Sequence, residues 1–179
     1  EDFNQSIDLG YNAHGVWTAR GRTAQLIGRG DRAKSDLYRG IILNPENAEG
    51  FAFFGDFWRT IGSYYDAASN LDRAIKLNTE LAVARHFQGL LHFDLGLFPQ
   101  AIEAFDHAIS LDPQLTEAYD GRTEAIRQLE LFADTGLATD AFEELSRSFS
   151  MELSESEHYS WRGHMGLLTG HRDSAFGYL

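Results

Sequence analysis

Cysteine is missing from this chain of 179 residues, proline occurs three times, and 15 basic residues face 27 acidic ones. Without a thiol there are no disulfide staples and no thiolate metal sites. That absence suits reducing and oxidising compartments alike, so localisation stays unassigned. Three prolines leave long stretches free to be helical. No apolar run approaches the roughly 20 residues that a membrane-spanning helix needs, so membrane insertion is not expected. The shortage of cations gives a net charge of −12. Phosphate-bearing partners need a clustered basic face, so nucleic acid and anionic membrane surfaces are not the expected partners.

Sites for chemistry are also lacking. The seven histidines include no pair spaced i, i+4, so no helix offers a two-imidazole metal face. Gly28-Arg29-Gly30 has neither the preceding strand nor the third glycine of a nucleotide loop. No serine or aspartate is placed beside a histidine as an activated nucleophile would be. Arg29-Gly30-Asp31 spells an adhesion tripeptide but occupies a predicted turn, and the Asn4-Gln5-Ser6 sequon lies on a predicted helix. The expectation is a chain that is not an enzyme and that needs no cofactor or metal.

What is present is a period. The stretch Ala82–Leu115 reads as a helix, a turn at Gly96, a second helix and a stop at Asp112-Pro113. A step back of 34 residues carries Gly89, Gly96, Ala101 and Ala108 onto Gly55, Gly62, Ala67 and Ala74. A second step reaches Gly21, Gly28, Ala33 and Gly40, and Pro113 lands on Pro45. Small residues at fixed spacing let paired helices approach, and the large apolar residues between them fill the seam. Gly55, Gly89, Ala67 and Ala101 should therefore be inaccessible.

Bulky Trp17, Phe51, Tyr119 and Tyr159, the glycines and alanines above, and the closing prolines resemble the signature of the tetratricopeptide repeat family. The departures are Arg85 at the bulky position, Gly40 for the second alanine and Thr79 for the proline. The resemblance implies an all-α, right-handed superhelical solenoid of antiparallel helix hairpins. Regular repeats are expected over 14–47, 48–81 and 82–115, with a longer one over 116–155. Residues 1–13 read as the end of a preceding repeat and 156–179 as a truncated one, so the sequence reads as part of a longer array.

In this family the side of the first helix away from its hairpin partner lines a concave groove. Here those positions include Arg22, then Phe53, Asp56 and Arg59, then His86, Phe87, Leu90 and Phe93. Asp120, Glu124 and Arg127 follow, and then Trp161 and His164. Leu90 and Phe93 fall nearest its middle, with charged flanks on either side. A groove of that pattern suits a protein or peptide carrying a hydrophobic anchor. The recurring aromatics Phe53, Phe87 and Trp161 equally suit packing between neighbouring repeats. Clamps for acidic chaperone C-termini need Lys, Asn and Arg at positions that here read Thr18, Arg22, Phe53, Val83 and Phe87. Only Arg22 matches, so that reading is rejected. The expected function is a non-catalytic binding scaffold. The alternative is a regulatory or targeting region of a longer enzyme or of a secretion or assembly component, and self-association through the array ends is a third reading.

Overall fold

A computed structural model describes residues 14–134 together with Phe3, Gln5 and Ile7. The expected repeat over 156–179, with Trp161 and His164, and the insertion beyond residue 134 lie outside the described residues. Seven helices lie within residues 14–134, and no strand is present among the described residues. They are α1 (His14–Leu26), α2 (Gly30–Leu43), α3 (Ala48–Thr60), α4 (Tyr64–Leu77), α5 (Ala82–Asp94), α6 (Phe98–Leu111) and α7 (Thr116–Asp134). The architecture is all-α, built of antiparallel helix hairpins of the solenoid kind. The chain divides into two compact units, Glu1–Phe87 and Gln88–Leu179. In the first, α1 packs on α2, α3 packs on α4, and α3 also touches both helices of the first hairpin. In the second, α6 packs on α7.

Within a hairpin the break between helices is made by glycine in a left-handed conformation. Gly28, Gly62 and Gly96 have φ of 73°, 82° and 73°, a region that costs any residue with a Cβ. The following N–H groups, of Arg29, Ser63 and Leu97, donate to the carbonyls of Ala24, Trp58 and His92 at 2.8–2.9 Å. These bonds satisfy carbonyls that the helix end leaves open.

Between hairpins a different device recurs. Asn44, Asn78 and Asp112 leave the helix in an extended conformation. Their side-chain oxygens accept from the N–H of Glu46, Glu80 and Gln114 at 2.9–3.1 Å. This is an Asx turn, in which the side chain stands in for a backbone carbonyl. Thr79 sits inside one of these turns where Pro45 and Pro113 sit in the others, and the same bonds form. The proline is therefore dispensable, and Thr79 does not interrupt the repeat.

The core follows the period. A Cβ at Gly21 or Gly55 would stand 2.7 Å from Leu37 Cγ or Leu71 Cγ, and one at Gly89 would stand 2.6 Å from the Phe105 ring. Ala33, Ala67, Ala74, Ala101 and Ala108 are wholly buried. In the second unit Ala101, Phe105 and Ala108 join Ala118 and Ala125 of α7 in one cluster. Gly40, the residue that departs from alanine, faces Thr18: a Cβ there would lie 2.6 Å from the Thr18 hydroxyl. Thr18 is buried and donates to the His14 carbonyl at 3.1 Å. The larger residue on α1 is thus matched by a smaller one on α2.

Candidate functional site

In the first unit α1 and the start of α3 enclose a cleft of about 390 Å³. Thr18, Ala19, Arg22, Thr23 and Leu26 line it from α1, Asn47, Glu49 and Phe53 from the next repeat, and Phe3 from the segment before α1. Arg22 is exposed, and its guanidinium carbon sits 4.5 Å from the centre of the buried Phe53 ring. A cation over an aromatic face is held by the ring quadrupole, so Arg22 has a defined place at this cleft. Phe53 in turn meets Phe87 edge-on at 5.7 Å, and the His86 ring lies 5.5 Å from that of Phe87. Phe53, Phe87 and His86 are all buried, which puts them beneath the surface.

One helical turn along, Asp56 accepts from Gln25 Nε2 at 2.9 Å and from Arg59 Nε at 2.9 Å. Both Asp56 and Arg59 are largely covered, at 15% and 16% side-chain exposure. The groove charges at these two positions are therefore satisfied within the chain. His14 and Asn47 also belong to the cleft: the Asn47 amide donates to His14 Nδ1 at 3.1 Å. Neither figures among the sequence-based candidates, because both lie at the repeat boundary, outside the first-helix positions that define the groove. The run EDFNQSIDLG did carry a signal for Phe3, since it aligns with α6 and places an aromatic just before α1.

In the second unit Leu90 and Phe93 are half-buried and pack against the cluster around Phe105. The Phe93 ring meets Phe98, at the start of α6, edge-on at 5.5 Å. Part of the apolar surface that the register assigns to the groove is thus covered by the hairpin's own second helix. Asp120 is exposed. Arg127 Nε donates to Glu124 Oε2 at 2.8 Å, and Gln128 donates to the same carboxylate. These bonds, that from Arg127 foremost, hold the Glu124 carboxyl at about 2, below the ordinary carboxylate range. Glu124 raises the Arg127 guanidinium in return. Among the described residues no cluster of metal-ligating side chains occurs, and no helix is long and apolar enough to cross a membrane.

No family model matches the chain, and no curated protein matches it. Solved structures do. The first TPR of Spaghetti (RPAP3), bound to the HSP90 peptide SRMEEVD, is 20% identical with a TM-score of 0.58; the match covers 65% of this chain and 93% of that one. MamA is 26% identical with a TM-score of 0.56, over 87% of this chain and 79% of its own. The O-GlcNAc transferase of Thermobaculum terrenum, as a K341M mutant, is 22% identical with a TM-score of 0.60. That match covers 68% of this chain but 25% of the transferase.

Proposed function

Because the chain has the tetratricopeptide-repeat fold, we propose that it is a non-catalytic scaffold that holds a segment of another protein against its first helices. The observation that carries this reading is Arg22, exposed at the rim of the cleft and seated on the buried ring of Phe53. The cleft combines apolar wall (Leu26, Ala19, Phe3) with hydrogen-bonding groups (Arg22, Thr23, Asn47). Such a lining suits an extended peptide with one hydrophobic anchor: the anchor supplies burial and the polar groups fix its register. A peptide solved against one similar domain supports the binding mode. It does not extend to acidic chaperone tails, for which Arg22 is the one matching side chain. Leu90 and Phe93, with Asp120, Glu124 and Arg127, are the candidate contacts of the same kind within the second unit.

The test is a fluorescence-anisotropy titration of anchor-bearing peptides against wild type, Arg22→Glu and Leu26→Asp. Both side chains are exposed, so the variants should keep their helical content. Affinity is expected to fall about tenfold or more, the equivalent of about 1.4 kcal/mol. Unchanged affinity in both variants moves the site off this cleft. A second reading, a regulatory or targeting region of a longer enzyme or assembly component, is favoured by the transferase match, which covers a quarter of that longer chain. An activity encoded elsewhere in a longer chain, and altered when this region is deleted, would favour it over the first.

A further inference from the structure

The net charge of −12 conceals a polarity along the chain. Residues 14–43, the first hairpin, carry six basic side chains (Arg20, Arg22, Arg29, Arg32, Lys34, Arg39) against Asp31 and Asp36. Residues 88–134 carry nine acidic side chains against two basic ones, Arg122 and Arg127. The most basic element is also the most apolar at its surface. Among the described residues, half of the exposed large hydrophobic side chains fall between residues 26 and 43, namely Leu26, Ile27, Tyr38, Ile42 and Leu43.

On α2 these features share one face. At 100° per residue Tyr38, Ile42, Arg39 and Arg32 fall within about 120° of one another, and all four are exposed. The fold itself does not require apolar residues there. The same register positions are Asp72 and Lys76 on α4, and Asp106 and Ser110 on α6. Tyr38 and Ile42 are 55% and 50% exposed. Arg39 is anchored over the Trp17 ring at 6.0 Å, so its charge is held beside them. None of these α2 residues lines the cleft.

We propose that this face of α2 is an interface for a second copy of the same chain, which presents its acidic α7. Most exposed residues of α7 are complementary in both respects: Tyr119 and Leu131 are apolar, Glu117, Asp120 and Glu130 are acidic, and the one exposed cation among them, Arg127, is already paired with Glu124 of the same helix. They too fall within about 160° of helix surface. A phosphate-bearing partner would engage the arginines but leave Tyr38 and Ile42 in water, whereas an acidic, partly apolar helix covers both. Two different patches meet in such a contact, so each copy keeps one of each to offer to the next.

Sedimentation equilibrium of the intact chain, at increasing protein concentration and at about 0.1 M and about 1 M salt, where the Debye length falls from about 10 Å to about 3 Å, tests this. The average mass should rise above that of one chain with concentration and should fall back in high salt. R32E/R39E and, separately, D120R/E130R should each weaken association by about tenfold or more, and an equimolar mixture of the two should restore it. Y38D/I42K, which copies Asp72 and Lys76 and so suits the fold, should also abolish association, with circular dichroism confirming the helices. A single-chain mass throughout overturns the proposal. So does association that survives R32E/R39E, or a mixture that fails to recover, and so does binding of a nucleic-acid duplex or anionic vesicles that competes for the face while the chain alone stays monomeric.

Discussion

The first and second hairpins share one backbone plan and fill it differently. In each, a glycine on the first helix admits a leucine from the second, Gly21 for Leu37 and Gly55 for Leu71. Beside that shared seam, Arg20 of the first hairpin forks onto Asp36 with two contacts of 2.7 Å. The matching positions in the second hairpin hold Phe54 and Asn70. Phe54 there joins Phe57 and Trp58 in an aromatic group, with ring centres 5.4–6.0 Å apart. Thr18 opposite Gly40 in the first hairpin gives way to Ala52 and Ala74 in the second, both wholly buried. The period thus constrains where backbones approach, while polarity and volume are balanced pair by pair inside each hairpin.

The largest effect that would break this comparison comes from Asp36. Its side chain is 4% exposed and that of Arg20 is 16% exposed, so Asp36→Ala takes the forked carboxylate away from a mostly covered guanidinium, which keeps its contact with the Trp17 ring at 4.8 Å. The expected loss is about 3–5 kcal/mol. Asn70→Ala, at the same register position, removes a bond to the Asp66 carbonyl of its own helix and should cost less than about 1 kcal/mol. Urea unfolding of the two variants measures the difference, and equal losses would mean that the two hairpins are filled alike after all.

The shared seam should behave the same way in both. Gly21→Ala and Gly55→Ala each push a methyl against a leucine and should each cost about 1–3 kcal/mol through overpacking. A thermal melt in which the two differ by more than their errors would show that the seam is not equivalent. The turn should be milder. Gly62→Ala puts a Cβ at φ 82° and should cost about 1–2 kcal/mol. Gly15→Ala, in an exposed position with nothing near its missing Cβ, should stabilise α1 by about 0.5–1 kcal/mol.

The smallest effect concerns Glu124 in the second unit. Its carboxyl sits at about 2 in the folded chain, below the ordinary 4.5 of a free glutamate. A lowered carboxylate adds to stability above the unfolded value, and that addition is lost as pH falls from about 4.5 toward about 2. The pair is at the surface, so the change should be hard to see in unfolding. Carbon-detected NMR titration of Glu124 should instead show its midpoint rising toward the ordinary carboxylate range in Arg127→Ala. An unmoved midpoint would mean that Arg127 is not its cause.

What could be read from the sequence was whatever repeats. Gly21, Gly55 and Gly89 stand 34 apart because three seams impose the same distance, and the turn glycines recur because three turns need positive φ. The Asx turns are equally periodic at Asn44, Asn78 and Asp112, but beside two of them Pro45 and Pro113 already mark a helix stop, which masks the side-chain bond. Arg20 and Asp36 were out of reach for a different reason. They lie 16 residues apart on separate helices, and the other repeats, with Phe54 and Asn70 and then Gln88 and Ala104 in their places, hold no echo of the pair. In the candidate groove, helical phase singled out Arg22 and Phe53, which meet. The same phase could not tell that Asp56 and Arg59 would satisfy each other, or that Phe93 would turn to Phe98. Those outcomes depend on rotamers and neighbours, which spacing does not encode.

The Asx turns have a consequence for how such a chain can change length. Each joint has its own short-range bond: Asn44 holds Glu46, Asn78 holds Glu80 and Asp112 holds Gln114. Cutting after Asn47 and splicing to Ala82 would leave a joint chemically equivalent to the one removed, since Leu81 and Asn47 occupy the same turn position and bond back in the same way. A gene encoding this chain can therefore gain or lose one unit of 34 codons without inventing a new connection. The first hairpin carries its private ion pair and its Thr18–Gly40 match with it, while Arg22 and Gln25 stay tied to Phe53 and Asp56 of the unit that follows.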